Sequence, residues 1–338
     1  MRIFRKSRMA LLAGLLLLTM LATACQGGNN TAGTQEITAT AAPTASAETA
    51  TTPQAPAETA GGTRQYTDYS GKEITIPVAP KNIVAIQYAG DLLALGVKPA
   101  YVTDYAKHTY GAALDGVKSI GNRPVSLENV LAAAPDLILT DDTGDASEGE
   151  QLAKVGPTIT LPFWTEDPFL HFNQLAEILG KQAEAQSWLE QYHTKVSEVK
   201  QAIEPKVKEG ETALLLIISG KDMGISGIRN GGYTLYRQLG FTPTPEMKPL
   251  LDKNENFGFE TLSLEVLPKY SPDNLFVEMD DDSELTSSTF EQLKESGVWK
   301  SLNAVKNNKV YTVTNKWGLG DATSLYAQLE EAQAQIVK

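Results

Sequence analysis

The residues SLENVLAAAPDLILT at positions 126–140 are the most informative about the fold, because their pattern returns as SLEVLPKYSPDNLFV at positions 263–277. Each copy reads Ser-Leu-Glu, then Pro-Asp, then an apolar run that is typical of a buried strand. The five matching residues are each 137 positions apart. We interpret each copy as a short helix that is capped by its Ser and carries its Glu in the first turn. The repeat therefore predicts two α/β lobes of similar build.

The segment between the two copies contains one long amphipathic helix. Asp167-Pro168 marks a helix start, and Gly180 ends or kinks a first segment. Apolar residues then step by three and four positions along Gln182–Glu204 until Pro205 stops the pattern. They are Ala185, Trp188, Leu189, Tyr192, Val196, Val199 and Ile203. Such a helix spans about 35 Å, the width of a small domain. Elsewhere buried strands alternate with short helices, which predicts parallel sheets covered on both faces.

Composition removes several classes of function. The 338 residues exceed what one core usually serves, so two lobes are the default. A formal charge of −12 argues against a nucleic-acid partner, which would require clustered Lys and Arg. One cysteine excludes a disulfide framework, and three scattered histidines leave little for a metal site. A secreted enzyme stays the weaker alternative, because neither GxSxG nor HExxH occurs.

The N-terminal segment predicts export and a lipid anchor. A positive start is followed by an apolar run, Met9–Leu21, which is too short to span a membrane. Small residues then stand directly before Cys25, an arrangement that resembles the lipobox of bacterial lipoproteins, where the thiol is diacylated. An ordinary signal peptide with an incidental cysteine is the alternative. Residues 26–62 are rich in Thr, Ala, Pro and Gly and predict a disordered tether.

These observations divide the chain into five segments. They are a signal peptide at 1–24, a lipidated cysteine with its tether at 25–62, an N-terminal α/β lobe at 63–165, a connecting helix at 166–205 and a C-terminal α/β lobe at 206–338.

This arrangement resembles the solute-binding lipoproteins of siderophore and cobalamin ABC importers. The two Ser-Leu-Glu…Pro-Asp copies are its most specific markers, and the segments that begin at Tyr88 and Lys316 are similar to the ferric-siderophore branch. The segment at Asn230-Gly-Gly-Tyr is similar to the ferric-hydroxamate binders. The resemblance implies a class III periplasmic-binding-protein fold, in which two Rossmann-like lobes are joined by one long rigid helix. It also implies that Glu128 and Glu265 dock onto arginines of the permease, one per lobe.

Loops that follow strand ends line the cleft of an α/β lobe, and they supply the candidate ligand contacts. The candidates are Tyr88, Tyr105, Lys107, His108, Arg123, Trp164, Lys221, Arg229, Tyr233 and Trp317. A ferric siderophore is a large, partly apolar chelate whose iron-bound oxygens carry negative charge. Aromatic rings cover such faces and guanidinium groups bind such oxygens. For each aromatic residue, packing in the core is the alternative.

The small number of cations per lobe favours a neutral or weakly charged hydroxamate chelate over catecholate or citrate types, with cobalamin or haem as the next alternative. We expect no enzymatic activity, no cofactor and no metal held by protein side chains, since the siderophore itself coordinates the iron. The resemblance implies a permease dimer with its cytoplasmic ATPase as the partner. We expect a monomer at the outer face of a cell membrane, held there by its lipid anchor alone, most simply in a Gram-positive bacterium.

Overall fold

The structure is a computed structural model that describes residues 62–144, 146–163, 165, 167–281 and 283–338. All of the described residues belong to one unit of the fold. The predicted signal peptide, the predicted lipid anchor at Cys25 and the predicted ligand contact of Trp164 lie outside them. Across the described ranges, no helix combines the length and the apolar character that crossing a membrane requires.

An antiparallel hairpin precedes the first sheet. Strand β1 (Thr63–Thr67) pairs with β2 (Glu73–Pro77), and alternate residues of the pair enter the core. The alternation around Gly71 therefore predicts this element correctly, and Gly71 itself takes the left-handed backbone of the turn.

The first lobe is built on a five-stranded sheet in which every pairing is parallel. Its strands are β3 (Ile83–Ala85), β4 (Tyr101–Val102), β5 (Lys118–Ser119), β6 (Leu137–Asp141) and β7 (Thr158–Leu161). Their spatial order, β5-β4-β3-β6-β7, places the first strand of the lobe at the centre, as in half of a Rossmann fold. Alternate residues of β3 and β6 enter two separate apolar clusters, so both faces of the sheet are covered as predicted.

Short helices connect these strands. They are α1 (Ala89–Ala94), α2 (Asp104–Tyr110), α3 (Leu127–Ala133) and α4 (Ala146–Leu152), with a 3₁₀ turn at Gly111–Leu114. Gly96 follows α1 in the left-handed conformation, as its position in the sequence indicates.

The predicted long helix is present and is preceded by a shorter one. Helix α5 (Leu170–Leu179) ends at Gly180, which is left-handed, and α6 (Gln182–Ile203) follows with a length of about 33 Å. Tyr192, Val199 and Ile203 of the predicted apolar stripe are buried, and its other large residues pack against the same core. The break at Gly180 and the stripe beyond it are therefore confirmed.

The second lobe has a mixed sheet. Its strands are β8 (Thr212–Ser219), β9 (Asp222–Ser226), β10 (Thr242–Pro243), β11 (Phe259–Thr261), β12 (Asn274–Met279) and β13 (Val310–Val313), in the order β11-β9-β8-β12-β13 with β10 beside β8. Strand β12 pairs in parallel with both β8 and β13, whereas β9 pairs antiparallel with both β8 and β11. The prediction of parallel pairing is wrong for β9, because Gly220-Lys221 reverses the chain in a two-residue hairpin with Gly220 at a positive φ.

The helices of this lobe are short apart from the one at Glu284–Glu295 and the last helix. They are α7 (Lys248–Lys253), α8 (Leu267–Tyr270), α9 (Glu284–Glu295), α10 (Gly297–Ser301) and α11 (Asn303–Lys306), with 3₁₀ turns at Pro245–Met247 and Asn315–Gly318. The predicted helix that begins at Tyr233 is a π-helix, Tyr233–Leu239, which ends at the left-handed Gly240. The last helix, α12 (Ala322–Ile336), packs along α6 and against α1 of the first lobe.

The aspartates of the repeated motif have the same role in both lobes. Asp136 accepts hydrogen bonds from the backbone N–H groups of Lys81 and Asn82, at 2.7 and 2.8 Å, just before β3. Asp273 accepts from the N–H and the hydroxyl of Thr212, at 2.9 and 2.8 Å, where β8 begins. Each Pro-Asp turn thus fastens the start of the neighbouring parallel strand, which is a physical reason for the motif to recur.

The serines of the motif differ. Ser126 caps α3 by accepting from the N–H of Asn129 at 3.5 Å, as predicted. The predicted cap by Ser263 is wrong, since α8 begins four residues later, at Leu267. Pro268 has no N–H and a fixed φ that suits a first helical turn, so it moves the helix start towards itself.

Candidate functional site

A cavity of about 570 Å³ lies between the loops of the two lobes. The loops that line it follow β3, β4, β7, β9 and β13. For β3, β4, β7 and β13 these loops leave the carboxyl edge of a parallel sheet, where α/β folds bind ligands. Four predicted contacts line the cavity: Tyr88, Tyr105, Arg229 and Tyr233.

Tyr88 lies three residues beyond the end of β3, at the N-cap position of α1, and has a left-handed backbone at φ 67°. Its hydroxyl donates to the carbonyl of Leu161 at 3.0 Å, and its ring lies 5.2 Å from that of His171. A non-glycine residue rarely adopts this backbone, and such strain is found at ligand sites held by their surroundings. Burial, with the charge of Asp141 as a smaller cause, raises the pKa of Tyr88, so its phenol stays neutral.

Tyr105 extends from α2 towards the second lobe. It is 43% exposed, and the carboxylates of Asp280 and Glu278 on the far side of the cleft act on it. Partial burial, followed by these two charges, raises the pKa of Tyr105. The residue therefore offers a neutral hydroxyl and an open ring face, which is what covering an apolar part of a chelate requires.

Arg229 enters the cavity from a tight turn of the second lobe. Asn230 is left-handed, at φ 53°, and its amide donates to the carbonyl of Gly318 at 2.6 Å. The next two positions lack room for a side chain: a Cβ at Gly231 would lie 2.6 Å from Leu215, and one at Gly232 would lie 1.8 Å from a backbone oxygen. The sequence Arg-Asn-Gly-Gly is therefore shaped by close packing, and it places a part-buried guanidinium against the cleft. Burial lowers the pKa of Arg229, which stays cationic at neutral pH.

Arg237 and Glu255 line the cavity although the sequence analysis did not include them. Arg237 belongs to the same helix as Tyr233, four residues further on, and that spacing places two side chains on one helix face. This spacing could have identified Arg237. Glu255 stands in an irregular segment between α7 and β11, where the sequence carries no comparable signal.

His171 and Asp321 also line the cavity, and they were missed for different reasons. In the sequence His171 is one of three scattered histidines with no neighbouring partner. In the structure α5 brings it against Asp91, with 2.9 Å between Nδ1 and Oδ2. Burial alone would lower the pKa of His171, but the charge and hydrogen bond of Asp91 outweigh it and raise that pKa. Asp321 directly precedes an apolar helix, so the sequence pattern is enough to predict it as the N-cap. Its position at the cleft, however, depends on how α12 packs.

Trp317 does not face the cleft, so its predicted role as a ligand contact is corrected. It is 0% exposed, its ring stacks on Phe276 at 5.0 Å, and its indole N–H donates to Glu331 at 3.0 Å. The ring also lies under Gly231, where a Cβ would come within 2.9 Å of it. Trp317 therefore supports the turn that carries Arg229, because a large apolar ring in a 3₁₀ turn packs inward.

The other predicted cations also lie away from the lining of this cavity. Arg123 pairs with Asp141 at 2.9 Å and with Glu148 at 2.8 Å, and it lines a separate pocket of the first lobe. The ammonium of Lys107 donates to the carbonyl of Val117 at 2.8 Å. Lys221 occupies the exposed hairpin between β8 and β9. Their side chains reach other partners or solvent, which spacing along the chain could not reveal.

His108 is exposed on α2. Hydrogen bonds from Ser283 and Thr286 lower the pKa of Asp281, and His108 makes a smaller contribution in the same direction. Within the described residues, no group of three or more His, Cys, Asp or Glu side chains could hold a metal ion. Glu128 and Glu265, the predicted docking residues, are both exposed, one on each lobe.

The chain is similar in sequence and in fold to known binding proteins. Residues 83–316 match the family described as periplasmic binding protein. The iron(3+)-hydroxamate-binding protein YxeB of Bacillus subtilis is 30% identical over 260 residues, covering 73% of this chain and 77% of that protein. The Fe(3+)-citrate-binding protein YfmC of the same organism is 26% identical, covering 72% and 76%. A FhuD-fold component of a Fep/Fec-like ferrichrome ABC transporter from Bacillus subtilis superposes with a TM-score of 0.69 at 27% identity, covering 81% of this chain and 100% of that one.

Proposed function

Because the chain belongs to the periplasmic binding protein family, we propose that it captures a ferric siderophore, of the hydroxamate type, in the cleft between its lobes. The bound chelate is then delivered to an ABC permease. The relatives named above bind ferric hydroxamate or ferric citrate, and the fold neighbour serves ferrichrome import, which supports this class of ligand.

One observation carries the proposal: the cavity combines tyrosine rings from both lobes with two arginines from one. A volume of about 570 Å³ lies within the range of about 300–1,000 Å³ that small-molecule pockets have. The rings of Tyr88, Tyr105 and Tyr233 suit its apolar faces, and Arg229 and Arg237 suit its anionic oxygens. The described residues contain no group of three or more His, Cys, Asp or Glu side chains that could hold a metal ion, so in this proposal the iron keeps the ligands of the chelate.

The charge of the lining favours the hydroxamate class within the siderophores. The lining contains the acidic side chains of Glu255 and Asp321 as well as Arg229 and Arg237. A citrate or catecholate chelate carries several negative charges and would meet these acids at the site. A neutral or weakly charged hydroxamate chelate meets no such repulsion, and it still gains the charge-assisted contacts of the arginines.

Two further parts of the proposal concern where the protein acts. Glu128 and Glu265 are exposed and related by the internal repeat, which suits docking onto a permease that is itself a symmetric dimer. Diacylation of Cys25 would anchor the protein at the outer face of the membrane, with residues 26–62 as the tether.

Fluorescence titration of the purified protein tests the ligand. The panel comprises ferrioxamine, ferrichrome, a ferric catecholate, ferric citrate, cyanocobalamin and haem. The ring of Trp317 lies under Gly231 in the turn that carries Arg229, so a bound iron chelate should quench tryptophan emission. Saturable quenching by a hydroxamate chelate at submicromolar concentration is the expected result. Preferential binding of ferric citrate or the catecholate would contradict the hydroxamate class, and binding of cobalamin or haem alone would contradict the siderophore.

A further inference from the structure

Helix α12 is bonded to the second lobe along its middle. The amide of Gln328 is buried and donates to the carbonyls of Lys316 and Leu319, at 2.7 and 2.9 Å. One turn further on, Glu331 accepts from the indole N–H of Trp317 at 3.0 Å. These bonds join the helix to the chain that leaves β13, so α12 moves with the second lobe.

The start of the same helix is bonded to the first lobe. Asp321 accepts from the hydroxyl of Tyr110, which ends α2, with 2.7 Å between the oxygens. The backbone N–H of Ala322 donates at 2.8 Å to Asp91 in α1, whose side chain is fully buried. Both contacts place a carboxylate at a helix N-terminus, where the helix dipole favours negative charge.

The carboxylate of Asp321 and the hydroxyl of Tyr110 fill the space in which any side chain at position 90 would lie. A Cβ there would lie 1.8 Å from Oδ1 of Asp321. In place of a side chain, the carbonyl of Gly90 accepts from the hydroxyl of Thr323 at 2.6 Å. The start of α12 is thus in direct hydrogen-bonded contact with α1.

His171 connects these contacts with the surface of the cleft. Its Nδ1 lies 2.9 Å from the second oxygen of Asp91, and both side chains are buried. The ring of Tyr88, which faces the cavity, packs against His171 at 5.2 Å. One continuous set of contacts therefore runs from a cleft-lining ring to the joint between the lobes.

We infer that α12 is a second strut between the lobes, beside α6, and that Tyr110, Asp91, His171 and Asp321 fasten it to the first lobe and so fix the opening of the cleft. These four residues, here called the strut network, are positioning residues for ligand binding. The binding readout below rests on the proposed function, whereas the distance readout does not.

A fixed opening matters because a ligand that contacts both lobes binds a preformed cleft without the cost of ordering it. When the lobes are loosely joined, only a fraction of the molecules has the competent opening, and the apparent affinity falls by that fraction. Loosening the network should therefore weaken binding even where no ligand contact is lost.

The test compares two variants that weaken the strut network with one control. Tyr110→Phe removes the hydroxyl that donates to Asp321 and keeps the ring. Gly90→Ala places a methyl group where the Asp321 carboxylate and the Tyr110 hydroxyl meet, at a position that does not line the cavity. The control, Tyr236→Phe, removes a hydroxyl that donates to the carbonyl of Ala213 at 3.2 Å, entirely inside the second lobe.

The first measurement is the distance between the lobes without ligand. Spin labels at Leu131→Cys and Leu285→Cys, which are 63% and 46% exposed, report on the two lobes in the full chain with Cys25→Ser. In Tyr110→Phe and in Gly90→Ala we expect the distribution of label-to-label distances to be broader and its mean to be longer. In Tyr236→Phe we expect that distribution to be unchanged. The dissociation constant for the bound chelate should rise about fivefold or more in the two test variants.

Several outcomes separate the alternatives. Weakened binding in Tyr110→Phe with an unchanged distance distribution would mean that Tyr110 merely contacts the ligand, which overturns the inference. An unchanged distribution in both test variants would overturn it as well. If Gly90→Ala does not fold, Tyr110→Phe decides. A broadened distribution in a protein that binds no chelate of the panel would support the strut network and contradict the proposed function.

Discussion

Arg229 and Arg123 show how one side chain takes different roles in different surroundings. The guanidinium of Arg229 is part-buried at the cleft, where burial lowers its pKa. That of Arg123 pairs with Asp141, whose side chain is 1% exposed, and with Glu148. The first arrangement suits an incoming anionic oxygen, whereas the second satisfies charges that the fold itself has buried.

Replacing Arg229 or Arg237 by Ala should weaken binding of the ferric chelate about 5- to 100-fold, because each removes one charge-assisted contact. Isothermal titration calorimetry measures the change. Arg123→Ala is the matched control: it should leave the dissociation constant unchanged and lower the free energy of unfolding by about 2 kcal/mol, since Asp141 loses its partner. Weakened binding in Arg123→Ala alone, with both cleft variants unaffected, would restore Arg123 as the contact and reject the cleft.

His171 gives the stability a defined pH dependence. Its folded-state pKa lies above the usual 6.5, because the charge of Asp91 outweighs burial, with smaller contributions from Asp321 and Asp167. The stabilisation from this pair is therefore fully present below about pH 6.5 and is lost as the pH rises through the folded-state pKa. Urea unfolding between pH 6 and 9 should show this decline in the native chain and a flatter profile in His171→Gln. Stability that rises with pH over this range only in the native chain would contradict the sign.

At the scale of elements, close approach explains several glycines that pattern alone would assign to flexible loops. Gly231 lies against Leu215 of β8 and against Trp317, and Gly232 lies against the carbonyl group of Gly227. The π-helix that follows carries Tyr233 and Arg237 into the cavity. The geometry of the ligand wall on this side therefore depends on the absence of two Cβ atoms.

Gly232→Ala should destabilise the protein by about 1–3 kcal/mol, because its Cβ would meet the carbonyl oxygen of Gly227 at 1.8 Å. Gly297→Ala is the matched control, since nothing lies within 4 Å of a Cβ there and the residue begins α10. That change should be neutral or slightly stabilising. Chemical denaturation measures both, and equal stability of the two variants would show that the wall yields to the added methyl group.

At the scale of the whole molecule, two long helices join two lobes, and the exposed repeat residues face outward from each lobe. Glu128 lies in the first turn of α3, and Glu265 lies just before α8. The distance between them is set by how α6 and α12 hold the lobes. A permease that binds both glutamates would therefore also be sensitive to the distance between them.

The double variant Glu128→Ala, Glu265→Ala should abolish uptake of the iron chelate by cells while leaving its dissociation constant unchanged, since neither residue lines the cavity. Radioactive iron uptake and calorimetry measure the two properties. The single variants should show partial uptake, since each leaves one lobe able to dock. Loss of affinity in the double variant would refute the docking role.

The sequence by itself determined the two α/β lobes, the long helix with its break at Gly180, and the paired Pro-Asp turns. Each of these depends on local pattern: hydrophobic period, helix ends, turn residues and a repeat at a fixed offset. It also identified Tyr88, Tyr105, Arg229 and Tyr233 as cleft residues, because all four lie in or at the start of elements that follow strand ends.

Tertiary structure decided the rest. Arg123, Lys107 and Trp317 met the same sequence criteria but found partners inside the fold, at Asp141, at Val117 and at Glu331. The contact of Asp91 with His171 and with the start of α12 joins residues that are 80 and 231 positions apart in the chain. No local pattern encodes such contacts, because which side chain meets which across two lobes is set by the packing of whole elements.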